Sequence, residues 1–202
     1  PQIADESTPL VPPDAPRVKV IVTKVEGADL EAALATVERQ VYEGIHDVVV
    51  ITDENREVPV GVSRMATLEE AIALTGSEVD YLWILHSDAR PRPDALAALV
   101  SELDRNEASL GGSKLLLAGT RDELESIGSA TDVFGDPFTG LDEGEIDLQQ
   151  YDVVREVAFV SSVSMLVRRD LAQGLRGLDV LLEPVAAGLD FSQRARLAGG
   201  RV

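Results

Sequence analysis

The sequence predicts an α/β domain on a mostly parallel central sheet, with helices on both faces and mixed pairing in its last part. Three observations carry that expectation. Short Val- and Ile-rich runs of strand length alternate with helix-length periodic stretches through the first half, the order that parallel strands with crossover helices require. Tyr81-Leu82-Trp83-Ile84-Leu85 is an unbroken apolar run, as expected of a strand buried on both faces. It ends abruptly in His86-Ser87-Asp88, and open α/β sheets bind ligands at the carboxyl ends of their strands.

Residues 1–16 hold Pro9, Pro12, Pro13 and Pro16 among small and acidic residues and read as a tail or linker, leaving 17–202 as one domain. Residues 17–23 (RVKVIVT) read as the first strand. Gly27-Ala28-Asp29 supplies a turn and N-cap for a helix over 30–40, with Leu30, Leu34 and Val37 on one face. Residues 47–52 (DVVVIT) form a second buried strand running into Asp53-Glu54-Asn55, and 58–62 a short third. Thr67 caps a helix that ends near Leu74, and Gly76 breaks the chain before the central run. After the Arg90-Pro91-Arg92-Pro93 loop, 94–105 carries the clearest helical stripe: Leu96, Leu99, Val100 and Leu103. Residues 109–117 read as a strand around Gly111-Gly112, and 119–151 as an acidic loop region. Residues 153–160 and 164–167 read as strands split by Ser161-Ser162, adding antiparallel or mixed pairs to the same sheet. A short helix follows Asp170, and a last one is predicted over 190–197.

Composition narrows the functional classes. With 45% apolar residues in 202, the chain can bury a proper core, and at 4% aromatic that core must be mostly Val, Leu, Ile and Ala. A net charge of −18, from 36 acids against 18 bases, argues against nucleic-acid or anionic-membrane binding. It argues for a solvated acidic surface, of which the stretch 142–152 is one loop. The absence of cysteine excludes disulfides, a thiolate nucleophile and zinc–thiolate sites, and fits a cytoplasmic setting. No window approaches the roughly 18 apolar residues of a membrane span. No signal peptide is visible, and Pro1 is not a natural start, so the chain reads as a piece of a longer protein whose other parts could include membrane spans.

Chemistry concentrates at a few positions. His86 and Asp88, two residues apart in an extended segment, can point the same way and share a metal. Asp88 reads equally as a turn acid, and His86 as a hydrogen-bonded histidine at a strand end. Lys114, after Gly111-Gly112-Ser113, reads as a phosphate contact or a surface lysine. Arg168 and Arg169 either meet an anionic group or pair with surplus acids. His46 reads as a solvent-exposed loop histidine.

Four stretches together resemble the family 2 glycosyltransferases of GT-A fold, over residues 18–202. They are the strand ending in Thr23 with its following helix; the strand-plus-acid at Val48 to Asp53; Trp83-Ile84-Leu85-His86-Ser87-Asp88 before Pro91 and Pro93, which is similar to the family's Asp-x-Asp segment; and a long final block. That block comprises Val160-Ser161-Ser162-Val163-Ser164-Met165-Leu166-Val167-Arg168-Arg169-Asp170, Arg176-Gly177-Leu178-Asp179, and Asp190-Phe191-Ser192-Gln193-Arg194-Ala195-Arg196-Leu197-Ala198-Gly199. The Phe138 to Asp147 loop and Met165-Leu166-Val167-Arg168-Arg169 resemble actinobacterial members.

The resemblance implies a nucleotide-sugar donor, a glycan or lipid-linked acceptor, and a cytoplasmic site of action, in some members joined to membrane spans. It also implies a Mn²⁺ or Mg²⁺ ion that offsets the charge of the diphosphate leaving group, and a general base for inverting transfer. Thr23, Asp53, Asp88 and Lys114 become the donor-binding candidates, His86 and Asp88 the metal ligands, and Ser161-Ser162 the acceptor-pocket lining.

The chain departs from the family at three places. Thr52 stands where the second strand's acid belongs, with Asp53 one residue later. His86 replaces the first acid of Asp-x-Asp. Ala187 and Gly188 stand where the last motif carries its two acids, and neither can accept a proton. Glu183 and Asp190 are the nearest acids; Asp190 is expected to cap the final helix. The expectation is a degraded active site, in a nucleotide-sugar-binding or scaffolding part of a cell-envelope glycan protein. The alternatives are an active metal-dependent inverting enzyme using Glu183 or another acid as base, and an acidic protein-interaction module that binds no nucleotide.

Overall fold

The computed structural model describes residues 15–52, 58–131, 137–179 and 181–202. The expected tail lies almost wholly outside the described residues, and so does Asp53. The elements, in chain order, are β1 (Val18–Thr23), α1 (Leu30–Glu38), β2 (Ile45–Ile51), β3 (Val62–Met65), α2 (Leu68–Ala73), β4 (Tyr81–His86), α3 (Ala95–Arg105), β5 (Leu110–Gly112), β6 (Leu115–Leu116), β7 (Leu124–Ser126), β8 (Ala130–Thr131), β9 (Pro137–Phe138), β10 (Ser164–Arg168), α4 (Arg169–Gly174) and α5 (Pro184–Leu197).

Six strands form the central sheet in the order β3-β2-β1-β4-β10-β5. The first four are parallel, and β10 runs antiparallel to both its neighbours, as the mixed second half of the sequence predicts. Alternation along β4 feeds two cores: Tyr81, Trp83 and Leu85 pack with α1 and α3, whereas Leu82 and Ile84 pack with α2, α4 and α5. All five are at most 1% exposed, so the strand is buried on both faces, and each such side chain contributes about 1.5–3 kcal/mol of burial. The Trp83 indole Nε1 donates to Ser164 Oγ at 3.1 Å, and Ser164 Oγ lies 2.9 Å from Ser113 Oγ, which satisfies the polar atoms that β4, β10 and the end of β5 bury.

Several boundaries differ from the sequence expectation for physical reasons. The third strand is β3, displaced to Val62–Met65; its expected span 58–62 overlaps it only at Val62. The expected strand over 109–117 divides at Ser113-Lys114: β5 stays in the main sheet while β6 pairs with β7. Residues 153–160 form no strand, for Val153 and Val154 are exposed and only Phe159 makes a bridge, to Ser129. The last helix begins six residues early, with Pro184 in its first turn, where a missing N–H costs nothing. Asp190 therefore caps nothing. It sits mid-helix, and Arg194 Nε donates to its Oδ2 at 2.8 Å.

Candidate functional site

Strand order reverses at β1, which has β2 on one side and β4 on the other. Such a switch point opens a crevice at the carboxyl ends of the two strands. There Thr23 pairs in register with His86, and its Oγ1 donates to Leu85 O at 3.4 Å. The next residue, Ser87, is fully buried. Its N–H donates to Thr23 O at 2.9 Å, and its Oγ accepts from Val25 N at 2.8 Å. Arg90 Nη1 donates to Ser87 O and Ala89 O, each at 2.8 Å, and Nη2 to Asp29 O at 3.3 Å. Ser87 and Arg90 thus fasten the loop after β1 to the turn after β4. Sequence reasoning missed both; a serine and an arginine beside an acidic turn carry no spacing signal.

Asp88, two residues past the end of β4, is exposed, and His86, the last residue of β4, is half-buried. Because β10 is antiparallel, its leading loop arrives at the same edge: His86 N donates to Val163 O at 3.0 Å, and His86 Nε2 lies 3.4 Å from Ser162 Oγ. Burial pushes the His86 imidazole below its ordinary value, with Asp88 pulling partly the other way, so the ring is neutral near pH 7. Neutral imidazole is the ligating form. One imidazole and one carboxylate do not by themselves make a Mn²⁺ or Mg²⁺ centre, which takes about six donors, mostly oxygen. Among the described residues, no group of three or more His, Cys, Asp or Glu is arranged to hold a metal ion.

The position where the resemblance would place two acids is closed. Ala187 is 4% exposed and Gly188 is buried. A Cβ on Gly188 would stand 2.3 Å from Val160 O, 3.2 Å from Ser162 N and 3.3 Å from Ser161 Cα. All three are backbone atoms, which cannot swing aside as a side chain does. The first turns of α5 therefore lie directly against the 160–162 segment, where a carboxylate would need room. Glu183, just before α5, is exposed and makes no side-chain cap bond. Asp190 is held by Arg194, whose guanidinium also donates to Leu175 O at 2.8 Å and Gly177 O at 3.0 Å, fastening α5 to the end of α4.

Lys114 is not a free cation. Its Nζ lies 2.6 Å from an Asp147 carboxylate oxygen and 2.5 Å from one of Asp152, pinning the acidic loop to the link between β5 and β6. It lines a largely apolar cleft of about 520 Å³ between α3, β5 and residues 151–157. At the other end of the sheet, Arg168 stacks 5.3 Å over the Tyr81 ring and reaches Asp104 at 3.9 Å. His46 meets Glu78 at 3.6 Å. One carboxylate that sequence reasoning did not single out, Glu125 of β7, is exposed, and partial desolvation first and then the charge of Asp88 raise it above its ordinary value.

No protein-family profile and no curated protein matches the chain. Among solved structures, the crystal structure of S. aureus TarS 1-349 superposes with a TM-score of 0.57 at 14% identity, over 90% of this chain. The chain spans 55% of that structure's length. The 4-diphosphocytidyl-2C-methyl-D-erythritol synthase from Anaerococcus prevotii aligns over 93% of this chain and 84% of its own, at 13% identity and a TM-score of 0.49. The chain thus has a Rossmann-like α/β fold, which it shares with the TarS structure. Among the described residues, no helix is long and apolar enough to cross a membrane.

Proposed function

We propose that this chain is a family 2 glycosyltransferase-like GT-A domain, of actinobacterial type, that takes a nucleotide-sugar donor in the crevice between β1 and β4 but has lost the family's usual proton acceptor. Thr23, Ser87 and Asp88 face or frame the donor, with Asp53 following β2. His86 and Asp88 would be the residues to hold a Mn²⁺ or Mg²⁺ ion, which would offset the charge of the diphosphate leaving group. The domain then serves as the donor-binding or scaffolding part of a cell-envelope glycan protein, on the cytoplasmic side and joined to membrane spans elsewhere in that protein. The observation that carries this reading is the contact of Gly188 with Val160 O: the acid's place is filled by backbone, not merely mutated.

A second reading, an active metal-dependent inverting enzyme acting on a glycan or lipid-linked acceptor with Glu183 or another acid as base, is supported by the exposure of both Asp88 and Glu183. A thermal-shift series with UDP and GDP, with and without Mn²⁺, tests the shared claim. A ligand at 100 times its Kd stabilises the native state by about 2.7 kcal/mol, a readily measured rise in melting temperature. No rise with either nucleotide would favour the acidic protein-interaction module instead.

A further inference from the structure

β5 is the last strand of the main sheet on its side, and its far edge has no neighbouring strand. Backbone groups turn to alternate sides along a strand. Arg168 N donates to Ser109 O at 2.9 Å and Ser113 N to Ser164 O at 3.3 Å, so the odd-numbered residues here face β10. Leu110 and Gly112 therefore turn their groups outward. The Leu110 N–H is taken by Arg201 O at 3.2 Å. The N–H and C=O of Gly112 have no hydrogen-bond partner among the described residues.

That edge opens into the cleft of about 520 Å³, which Gly112 helps to line. Sites that take a ligand have volumes of about 300–1,000 Å³. Ala95, Ala98 and Leu99 of α3 stand on one side. On the other, Val153 and Val154 belong to a stretch held at both ends: Lys114 meets Asp152 at 2.5 Å, and Val157 N donates to Val202 O at 3.3 Å. Val153 is 75% exposed and Val154 60%, so two apolar side chains of this wall are left to water.

The chemistry of the cleft selects its occupant. An acyl chain would cover the apolar walls but shut the Gly112 groups away from water unpaired, which is unfavourable. An extended peptide covers the same walls and also pairs with Gly112, as a strand added to an open sheet edge does. Charge favours an acidic one. Arg155 donates to Ile127 O at 3.3 Å and stacks 5.5 Å over the Tyr151 ring, but pairs with no carboxylate among the described residues. Arg92, with its side chain 88% exposed, meets Asp94 only at 3.8 Å, and an exposed pair of this kind is weak. Both arginines line the cleft, in a chain whose net charge is −18.

We propose that the open edge of β5 takes an extended peptide strand of a partner protein, apolar where it meets the cleft walls and carrying Asp or Glu for Arg155 and Arg92.

The test is selection of random octapeptides displayed on phage against the purified chain, followed by synthesis of the enriched peptides and calorimetric titration. Enriched sequences should alternate apolar residues with others and include Asp or Glu. Affinity should fall about tenfold or more in Val154→Asp and in Arg155→Glu, whose melting temperatures stay as in the unaltered chain. A Cβ at Gly112 would stand 2.7 Å from the Val160 Cβ, so the edge itself is probed from the peptide. N-methylation of every second peptide amide should abolish binding in one of the two possible patterns, and the bound peptide should slow exchange of the Gly112 amide about tenfold or more. The proposal is overturned if no sequence is enriched, if the enriched peptides are basic, or if both N-methylated patterns bind undiminished. A Gly112 amide that exchanges as before overturns it too. So does dimerisation of the chain alone that slows the Gly112 amide, which gives the edge to a second copy.

Discussion

Gly188 of α5 and Val160 touch through their backbones: a Cβ at position 188 would come 2.3 Å from the Val160 carbonyl oxygen. That contact leaves no room for a side chain at position 188. Overpacking a well-filled position costs about 1–3 kcal/mol, so Gly188→Ala is expected to lower stability by about that amount in urea unfolding. Gly188→Asp should destabilise further and confer no sugar transfer. An aspartate variant as stable as the starting chain, or one that gains transfer, would contradict the packing.

Trp83 and Ser164 give a second check, on the sheet itself. Ser164→Ala removes the acceptor of the buried indole Nε1 and the partner of Ser113 Oγ. Leaving a buried donor unsatisfied costs about 1–3 kcal/mol. Chemical denaturation should show a loss in that range with an unchanged m-value.

His86 provides a pH signature. Its folded pKa is depressed, so the neutral ring contributes stability that is present above the unfolded histidine value of about 6.5 and is lost as pH falls through the lower folded value. Histidine NMR should give a midpoint below that value. Because Asp88 pulls the pKa upward, Asp88→Asn should depress the midpoint further. A midpoint that rises in Asp88→Asn would mean the two side chains do not face each other as described.

Arg90 holds the two loops of the crevice through backbone carbonyls alone. With Arg90→Ala, the Val25 amide, which bonds Ser87 Oγ, should exchange with solvent faster. Nucleotide affinity should drop about tenfold, the equivalent of one charge-assisted hydrogen bond. Unchanged exchange at Val25 would show that Ser87 keeps its place without the arginine.

Legibility in the sequence followed the physics of each segment. The strands β1, β2 and β4, and the helices α1, α2 and α3, declare themselves because apolar side chains recur at the period each element needs. The antiparallel β10 was legible for the same reason. The last helix was misplaced because an aspartate invited a capping role, whereas Ala187, Phe191 and Ala195 are buried along one helix that starts at Pro184. The strand expected over 153–160 failed because apolar residues need a neighbouring strand, and Val153 and Val154 have none. At the site, His86 and Asp88 were visible as a break in an apolar run. Ser87 and Arg90 were not, since their positions depend on contacts from distant segments. Lys114 looked available because its carboxylate partners, Asp147 and Asp152, lie more than thirty residues away in the chain.

The most direct single measurement is isothermal titration of UDP and GDP into the chain with Mn²⁺, repeated with Asp88→Ala. Binding of one nucleotide with a Kd in the micromolar range, about −8 kcal/mol, and its loss in Asp88→Ala, is the predicted result. No heat from either nucleotide, or equal binding by Asp88→Ala, would contradict a donor site at the carboxyl ends of β1 and β4.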